Sequence, residues 1–197
     1  LNYNCNDVKI NNNGILENFT FSNSADYFKN EINCSLNEQY SSAFVNGVLL
    51  NTDSQNHEIK TKIKHLSENT KSFQKIKAVV DKNSKAIFQG KIFVDPKAQK
   101  TNGYQLSKAI LLNEESEFNS KPELEIYADD VKCSHGSTSG SLDEDAIFYL
   151  MSRGLNKNEA KKLLIKGFLI DAIETITNNE IKEYFLNKLE NKINEHR

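Results

Sequence analysis

Lys121-Pro-Glu-Leu-Glu-Ile-Tyr-Ala-Asp-Asp-Val-Lys-Cys-Ser-His-Gly-Ser-Thr-Ser-Gly140 is the stretch on which the reading of this chain turns. Leu124, Ile126 and Ala128 alternate with Glu123, Glu125 and Tyr127, the period-two pattern of a strand with one buried face. That strand runs into a polar corner at Asp129-Asp130. Beyond the corner Val131, Cys133 and His135 share one parity, so an extended chain sets a thiol and an imidazole on one face, about 7 Å apart. Gly136 is expected to end the run. A soft sulfur beside a borderline nitrogen suits iron, zinc or copper better than it suits packing.

Upstream of this stretch the chain is a succession of short apolar alternations: Val8/Ile10, Phe19/Phe21, Ile32/Cys34/Leu36, Phe44 to Leu50, Ile59/Thr61/Ile63, Ile76 to Val80, Ile92/Val94 and Ile110 to Leu112. Asn, Ser, Gly and Asp separate them, and only Pro96 and Pro122 interrupt. Many short strands with polar corners fit a sandwich, a barrel or a stacked solenoid, but their spacing is too irregular to establish a repeat. After Gly140 the period changes from two to 3.6. Ser141-Leu-Asp-Glu144 reads as a capping box opening a helix that Gly154 closes. Asn156-Lys-Asn-Glu159 opens a second helix with the stripe Ala160, Leu163, Leu164, Phe168, Leu169, Ala172, Ile173 and Ile176. Asn178-Asn179 breaks it, and a third helix places Ile181, Phe185, Leu189 and Ile193 on one face. Three such helices cannot bury their stripes wholly on one another, so apolar surface is left for the β-region or a partner. The expected division is a β-region over 1–140 and a helical region over 141–197.

Charge narrows the partners. Lys plus Arg number 25 against 27 Asp plus Glu, a net charge of −2, so no strong field draws the chain to nucleic acid or an anionic membrane. Arg153 and Arg197 are the only arginines, poor provision for bidentate phosphate or carboxylate clamps. Cys5, Cys34 and Cys133 are odd in number and lack CxxC spacing, which favours a reducing compartment over a disulfide framework or four-cysteine zinc site. No apolar run approaches the ~20 residues that cross a bilayer. These features point to a protein of an intracellular, aqueous compartment, and Leu1 at the start of an alternating pattern suggests a piece of something longer.

Within the opening stretch, Ala128-Asp-Asp-Val-Lys-Cys-Ser-His-Gly136 resembles the C-terminal signature of the SufB/SufD family of iron–sulfur cluster assembly proteins, the SufD branch in particular. The similarity runs from about Tyr27 to Phe168. It takes in Lys29-Asn-Glu31, Asn46-Gly47, His65, Ser72 with Gln74, Phe88-Gln-Gly-Lys-Ile92, Ala98-Gln-Lys-Thr101, Lys121-Pro122 and Phe148-Tyr-Leu-Met-Ser-Arg-Gly154. Asn102-Gly103 departs from it, standing where the family usually has Asp-Ala. The resemblance implies a mainly β protein: a right-handed parallel β-helix followed by a small C-terminal α-helical domain, with the longer family members adding an N-terminal region. It implies a non-catalytic scaffold that pairs with a SufB-like paralogue through the β-helix and binds a SufC-like ATPase through its helices. It implies too that no cofactor is tightly held by the isolated chain, and that iron or an iron–sulfur cluster passes transiently through the complex. The setting would be bacterial cytoplasm or a plastid-type organelle.

The resemblance also carries site residues onto this sequence. His135 and Cys133 become candidate iron ligands at the cluster-assembly interface, while Phe148, Tyr149, Arg153, Gly154 and Phe168 become candidates for ATPase docking. Read without it, a lone histidine at a strand end is more often structural, and a free cysteine is commonly a small buried hydrophobe. Asp129-Asp130 could bind Fe(II), but corner residues that bond their own backbone are the commoner explanation. His57 and His65 fall on the parity of Ile59, Thr61 and Ile63, which places them as polar rungs inside the solenoid or as partner contacts, and Cys5 and Cys34 are expected in the core. An unpaired last strand seeks another chain, so the isolated protein is expected to form a two-fold homodimer through the region Leu111 to His135. The chain contains no GxxxxGK[ST] phosphate loop and is not expected to be the ATPase itself. The rival reading is a β-helix carbohydrate-active enzyme, a lyase or hydrolase, with Asp129, Asp130 or Lys132 in acid–base roles.

Overall fold

In the computed structural model, which describes residues 1–195, the chain coils into two facing five-stranded parallel sheets. One sheet holds β1 (Asn2–Ile10), β3 (Tyr27–Leu36), β5 (Asn56–His65), β7 (Lys85–Val94) and β9 (Glu117–Ile126). The other holds β2 (Ile15–Ser22), β4 (Ser42–Asn51), β6 (Lys71–Val80), β8 (Asn102–Leu111) and β10 (Lys132–Gly140). Successive strands alternate between the sheets, so the chain is a parallel β-solenoid. In the middle coils the register repeats every 29 residues, Tyr27 to Asn56 to Lys85 in one sheet and Ser42 to Lys71 in the other. It lengthens later, as at Lys71 to Asn102 and Lys85 to Glu117, which hides the repeat from a fixed-period search.

The corners explain how polar sequence turns the coil. Asn13, Tyr40, Asn69 and Lys100 each stand two residues before a strand of the second sheet, and all have left-handed φ of 58–60°. Ser41, Thr70 and Thr101 follow at three of these corners, fully buried, their hydroxyls donating to the carbonyls of Glu38, Ser67 and Ala98. Each hydroxyl thus satisfies a corner carbonyl that the strands cannot reach.

Alternate residues of β3 and β7 are buried in a strict in–out pattern. The inward set, including Ile32, Leu36, Val45, Leu49, Ile59, Ile63, Ile76, Phe88 and Ile92, fills the lumen between the sheets. Strand β4 and the second half of β6 are buried on both faces because helices cover their outer side. α1 (Glu144–Ser152) leads into α2 (Lys157–Ile173), and α3 (Asn179–Glu195) lies against α2. Val48, Leu50 and Val79 meet Leu169, Ala172, Ile173, Leu189 and Ile193 there, so the helical apolar surface is met largely by the outer face of the second sheet. Phe185 of α3 closes on Phe19 and Phe21, ring centres 4.9 and 5.9 Å away. Lys77 is buried beneath α2: its Nζ donates to the Phe168 carbonyl at 2.8 Å, pairs with Asp171 at 2.7 Å and lies 4.4 Å from the Phe168 ring centre. The Lys77 contact holds the Asp171 carboxyl below its usual range, compensating an otherwise costly buried ammonium.

The helix signals mostly hold. Asn156 and Glu159 form the reciprocal capping box, and Gly154 closes α1 at φ 102°. The cap of α1 is Asp143, however, not Ser141; its carboxylate accepts from the Asp145 and Ala146 amides, the geometry of a residue immediately preceding the helix. Arg197 lies outside the described residues.

Candidate functional site

Strands β9 and β10 are the last rungs of their sheets, each hydrogen-bonded to a strand on one side only among the described residues. Their outer edges therefore present unpaired amides and carbonyls. On β10 the register sets Cys133 opposite Gly103, His135 opposite Gln105 and Ser137 opposite Ser107, all on the inward parity of β8. The thiol and imidazole share one face, as their spacing predicts. Gly136 does not end the strand, which continues to Gly140: the Ser137 hydroxyl is tied to Ser107 at 3.0 Å, and Ser107 to Ser120 of β9 at 2.8 Å, which holds the last rung in register.

The two groups differ in environment. Cys133 is half-buried against the cluster of Ile92, Val94, Ala98 and Leu124, and burial raises its thiol above the ordinary value, partly offset by a hydrogen bond with the Gly103 backbone. A Cβ at Gly103 would come 3.4 Å from the Cys133 sulfur, a close but ordinary contact. His135 is exposed at the mouth of the coil. Neutral imidazole is an intermediate-softness ligand for iron, and a thiol that sheds its proton is a soft one. Among the described residues no three His, Cys, Asp or Glu side chains converge on one point, so a complete ligand set here would need donors from elsewhere.

Asp129 and Asp130 are exposed at the corner between β9 and β10. There the Asp130 backbone accepts from the Lys100 amide at 2.6 Å and donates to the Gln99 side chain at 2.9 Å, which ties the turn to the preceding coil. His57 and His65 lie inside the solenoid, fully buried, with both ring nitrogens of each engaged. His65 meets the Thr70 and Ser72 hydroxyls at 2.7 and 2.9 Å; His57 meets the Ser22 hydroxyl at 3.1 Å and donates to the Ala25 carbonyl at 2.6 Å. Burial lowers both, His65 to about 4, so they are neutral structural rungs. Cys34 is core, its thiol pushed up by burial to about 11. Cys5 is not: it stands opposite Glu31 on the outward parity of β1 and is exposed. Counting parity from Val8 and Ile10, which face inward, predicts this outcome.

On the helices, Phe148 is 74% and Tyr149 56% exposed, with Met151 and Leu163 also open to solvent. Arg153 lies over the Tyr149 ring and donates to its hydroxyl at 3.2 Å. Phe168 is elsewhere, half-buried over Lys77. The residues that sequence reasoning passed over are Gln105 and Ser107, buried in the lumen behind the last rung, and Ser120 and Ser137 on the rung itself, which bond to Ser107. Only the coil register reveals them, Gln105 falling 31 residues after Gln74.

Among the described residues no helix is long and apolar enough to cross a membrane. Residues 1–168 match a domain family described as "SUF system FeS cluster assembly, SufBD core domain". The chain is 34% identical over 154 residues to the iron–sulfur cluster assembly protein SufD of Escherichia coli, covering 78% of this chain and 36% of that protein. It is 29% identical over 146 residues to SufD of Bacillus subtilis, 74% of this chain and 33% of that one. A chloroplastic Arabidopsis thaliana protein, ABCI7, is 41% identical over 105 residues, 53% of this chain and 22% of its own. The chain thus spans about a third or less of the length of these curated relatives.

Proposed function

Because this chain belongs to the SufB/SufD family of iron–sulfur cluster assembly proteins, we propose that it acts as a non-catalytic scaffold subunit whose last solenoid rung is one wall of the assembly site. The observation that carries the reading is the coincidence of two features on one rung. The open edges of β9 and β10 offer strand pairing to a SufB-like paralogue, and Cys133 and His135 stand on that same rung, one half-buried and one exposed. Pairing across the edges would satisfy both backbones and bring the paralogue's donors to a thiol and an imidazole already in place. Iron and sulfide are then cargo, and the isolated chain holds no resident cofactor.

The exposed surface of Phe148, Tyr149, Met151 and Leu163, with Arg153 and Gly154 at its border, is the proposed seat of a SufC-like ATPase: aromatic anchors with a polar rim are the usual composition of such a contact. Phe168, which packs over Lys77 of β6, stands apart from that surface and is not part of the proposed seat. Carboxylates on the outer face of the first sheet are ion-paired, Glu31 with Lys29 and Glu123 with Lys121, a structural use of these side chains. Similarity to bacterial and chloroplastic proteins fits bacterial cytoplasm or a plastid-type organelle.

Co-expression with a SufB-type and a SufC-type protein, followed by anaerobic purification, tests the reading. A ternary complex carrying iron and sulfide in similar amounts is expected. A chain that purifies free of both partners overturns it. Alone, the same chain is expected to be a homodimer by light scattering at micromolar concentration, and a monomer contradicts the proposed edge.

A further inference from the structure

Lysines on the outward face of the first sheet fall into two groups. Lys29 is matched to Glu31 and Glu58, Lys85 to Glu117, Lys91 to Glu125 and Lys121 to Glu123. Lys9, Lys62 and Lys64 stand on the same face and form no ion pair among the described residues. Register gathers these three. Lys9 lies opposite Ser35 and Ser35 opposite Lys64, while Asp7 lies opposite Asn33 and Asn33 opposite Lys62. Because Asn33 and Ser35 are short, β3 becomes the floor of a trough of about 540 Å³, walled by Lys62 and Lys64 of β5 and by Asp7 and Lys9 of β1. Among the described residues neither the Asn33 amide nor the Ser35 hydroxyl makes a side-chain hydrogen bond. Lys62 also has Lys91 directly opposite on β7, a like-charge neighbour of the kind that weakens a sheet. Three cations against one carboxylate, over two unused hydrogen-bonding groups, is a donor set for an anion and not a device for stability.

We propose that this trough takes an extended acidic segment of a partner protein. Its two walls stand about 10 Å apart across β3, room for one extended chain. A chain lying along β3 repeats its side chains on one side about every 6.8 Å, the same spacing as Lys62 and Lys64. Carboxylates at alternate positions therefore meet both ammonium groups, while Asn33 and Ser35 donate to carboxylate or carbonyl oxygens beneath. Asp7 selects among anions. A continuous polyanion, nucleic acid or an anionic membrane, brings charge against Asp7 and against Glu31 two residues before Asn33, whereas a peptide can set a neutral residue there. The trough lies on β1, β3 and β5, away from the edges of β9 and β10 and from the exposed helical surface, so its occupancy is independent of the contacts proposed above.

Amide NMR shifts of the intact chain, titrated with a short peptide of alternating serine and glutamate, test the proposal. Serine–glutamine peptide, a uridine oligonucleotide and phosphatidylserine vesicles are run beside it. The expected result is a set of shifts concentrated at 7–9, 33–35 and 62–64 with the glutamate peptide at about 20 mM salt, much reduced at about 200 mM, and absent with the glutamine peptide. Lys62→Glu combined with Lys64→Glu is expected to weaken binding by about tenfold or more. Asp7→Asn is expected to tighten it by about two- to fivefold, a gain that misfolding cannot imitate. Both variants should keep the native thermal midpoint, since these side chains point outward. An absence of shifts in the trough at low salt, or shifts that survive the double lysine reversal, overturns the proposal. So does tighter binding of the oligonucleotide or the vesicles through the same residues. The same shifts appearing as the chain alone is concentrated would make the occupant a second copy and overturn it too.

Discussion

His135→Ala is expected to leave the chain folded and its partners bound, yet to lower the iron and sulfide recovered with the complex by about tenfold or more. The stability half of this follows from position. His135 is exposed on the last rung and belongs to none of the buried clusters, so removing its ring should change stability by only about 0.5 kcal/mol or less. The functional half follows from chemistry: among the described residues Cys133 is the only cysteine beside it on the rung, and a half-buried thiol raised above its ordinary pKa is a reluctant first ligand. Imidazole needs no ionisation to bind iron near neutrality. Chemical iron and sulfide analysis of anaerobically purified wild-type and mutant complexes checks it. Native cluster content in a complete mutant complex would remove His135 from the site.

Acidification should destabilise the solenoid well before its ion pairs are lost. His65 is neutral in the folded chain with a pKa of about 4, against an ordinary 6.5. Between those values the unfolded chain binds a proton that the folded chain refuses, so stability is intact above about pH 6.5 and falls as pH falls through this window. At 1.36 kcal/mol per pKa unit the loss approaches about 3 kcal/mol by pH 4, a large share of the ordinary stability of a domain. His57, also lowered by burial, adds in the same direction. The Asp171 pair with Lys77 acts at lower pH, because that carboxyl is held below its usual range. Urea midpoints measured from pH 7 to pH 4 should fall steeply, and His65→Gln should be less stable at pH 7 but lose less on acidification. A midpoint independent of pH in this range would contradict a buried neutral His65.

The two cases mark what a sequence can and cannot disclose here. Parity put His57 and His65 on the face of Ile59, Thr61 and Ile63 but left interior rung and partner contact both open; the straight strand places that face inside. Parity also paired Cys133 with His135, although β10 has almost no apolar residue to announce it as a strand. Helix caps at Asn156 and Gly154 were legible because capping chemistry is local. The coil was harder to see. Its corners use Tyr40 and Lys100 in the left-handed region, residue types that carry no turn signal, and insertions stretch the later coils beyond 29 residues. The Lys77–Asp171 pair joins residues far apart in the chain, so nothing local suggests that a lysine is buried there. Gln105 stayed hidden for the same reason: its neighbours, Gly90 and His135, are set by register and not by spacing along one strand.

Amide hydrogen exchange on β9 and β10, compared between the isolated chain under dissociating dilution and the complex with a SufB-type partner, bears most directly on the shared rung. Outward-edge amides over 117–126 and 132–140 should slow by about a hundredfold or more on pairing, while those of the interior strands β5 and β6 stay as they were. Unchanged exchange at both edges in a fully assembled complex would contradict the claim that this rung, with Cys133 and His135 upon it, forms the seam between the two proteins.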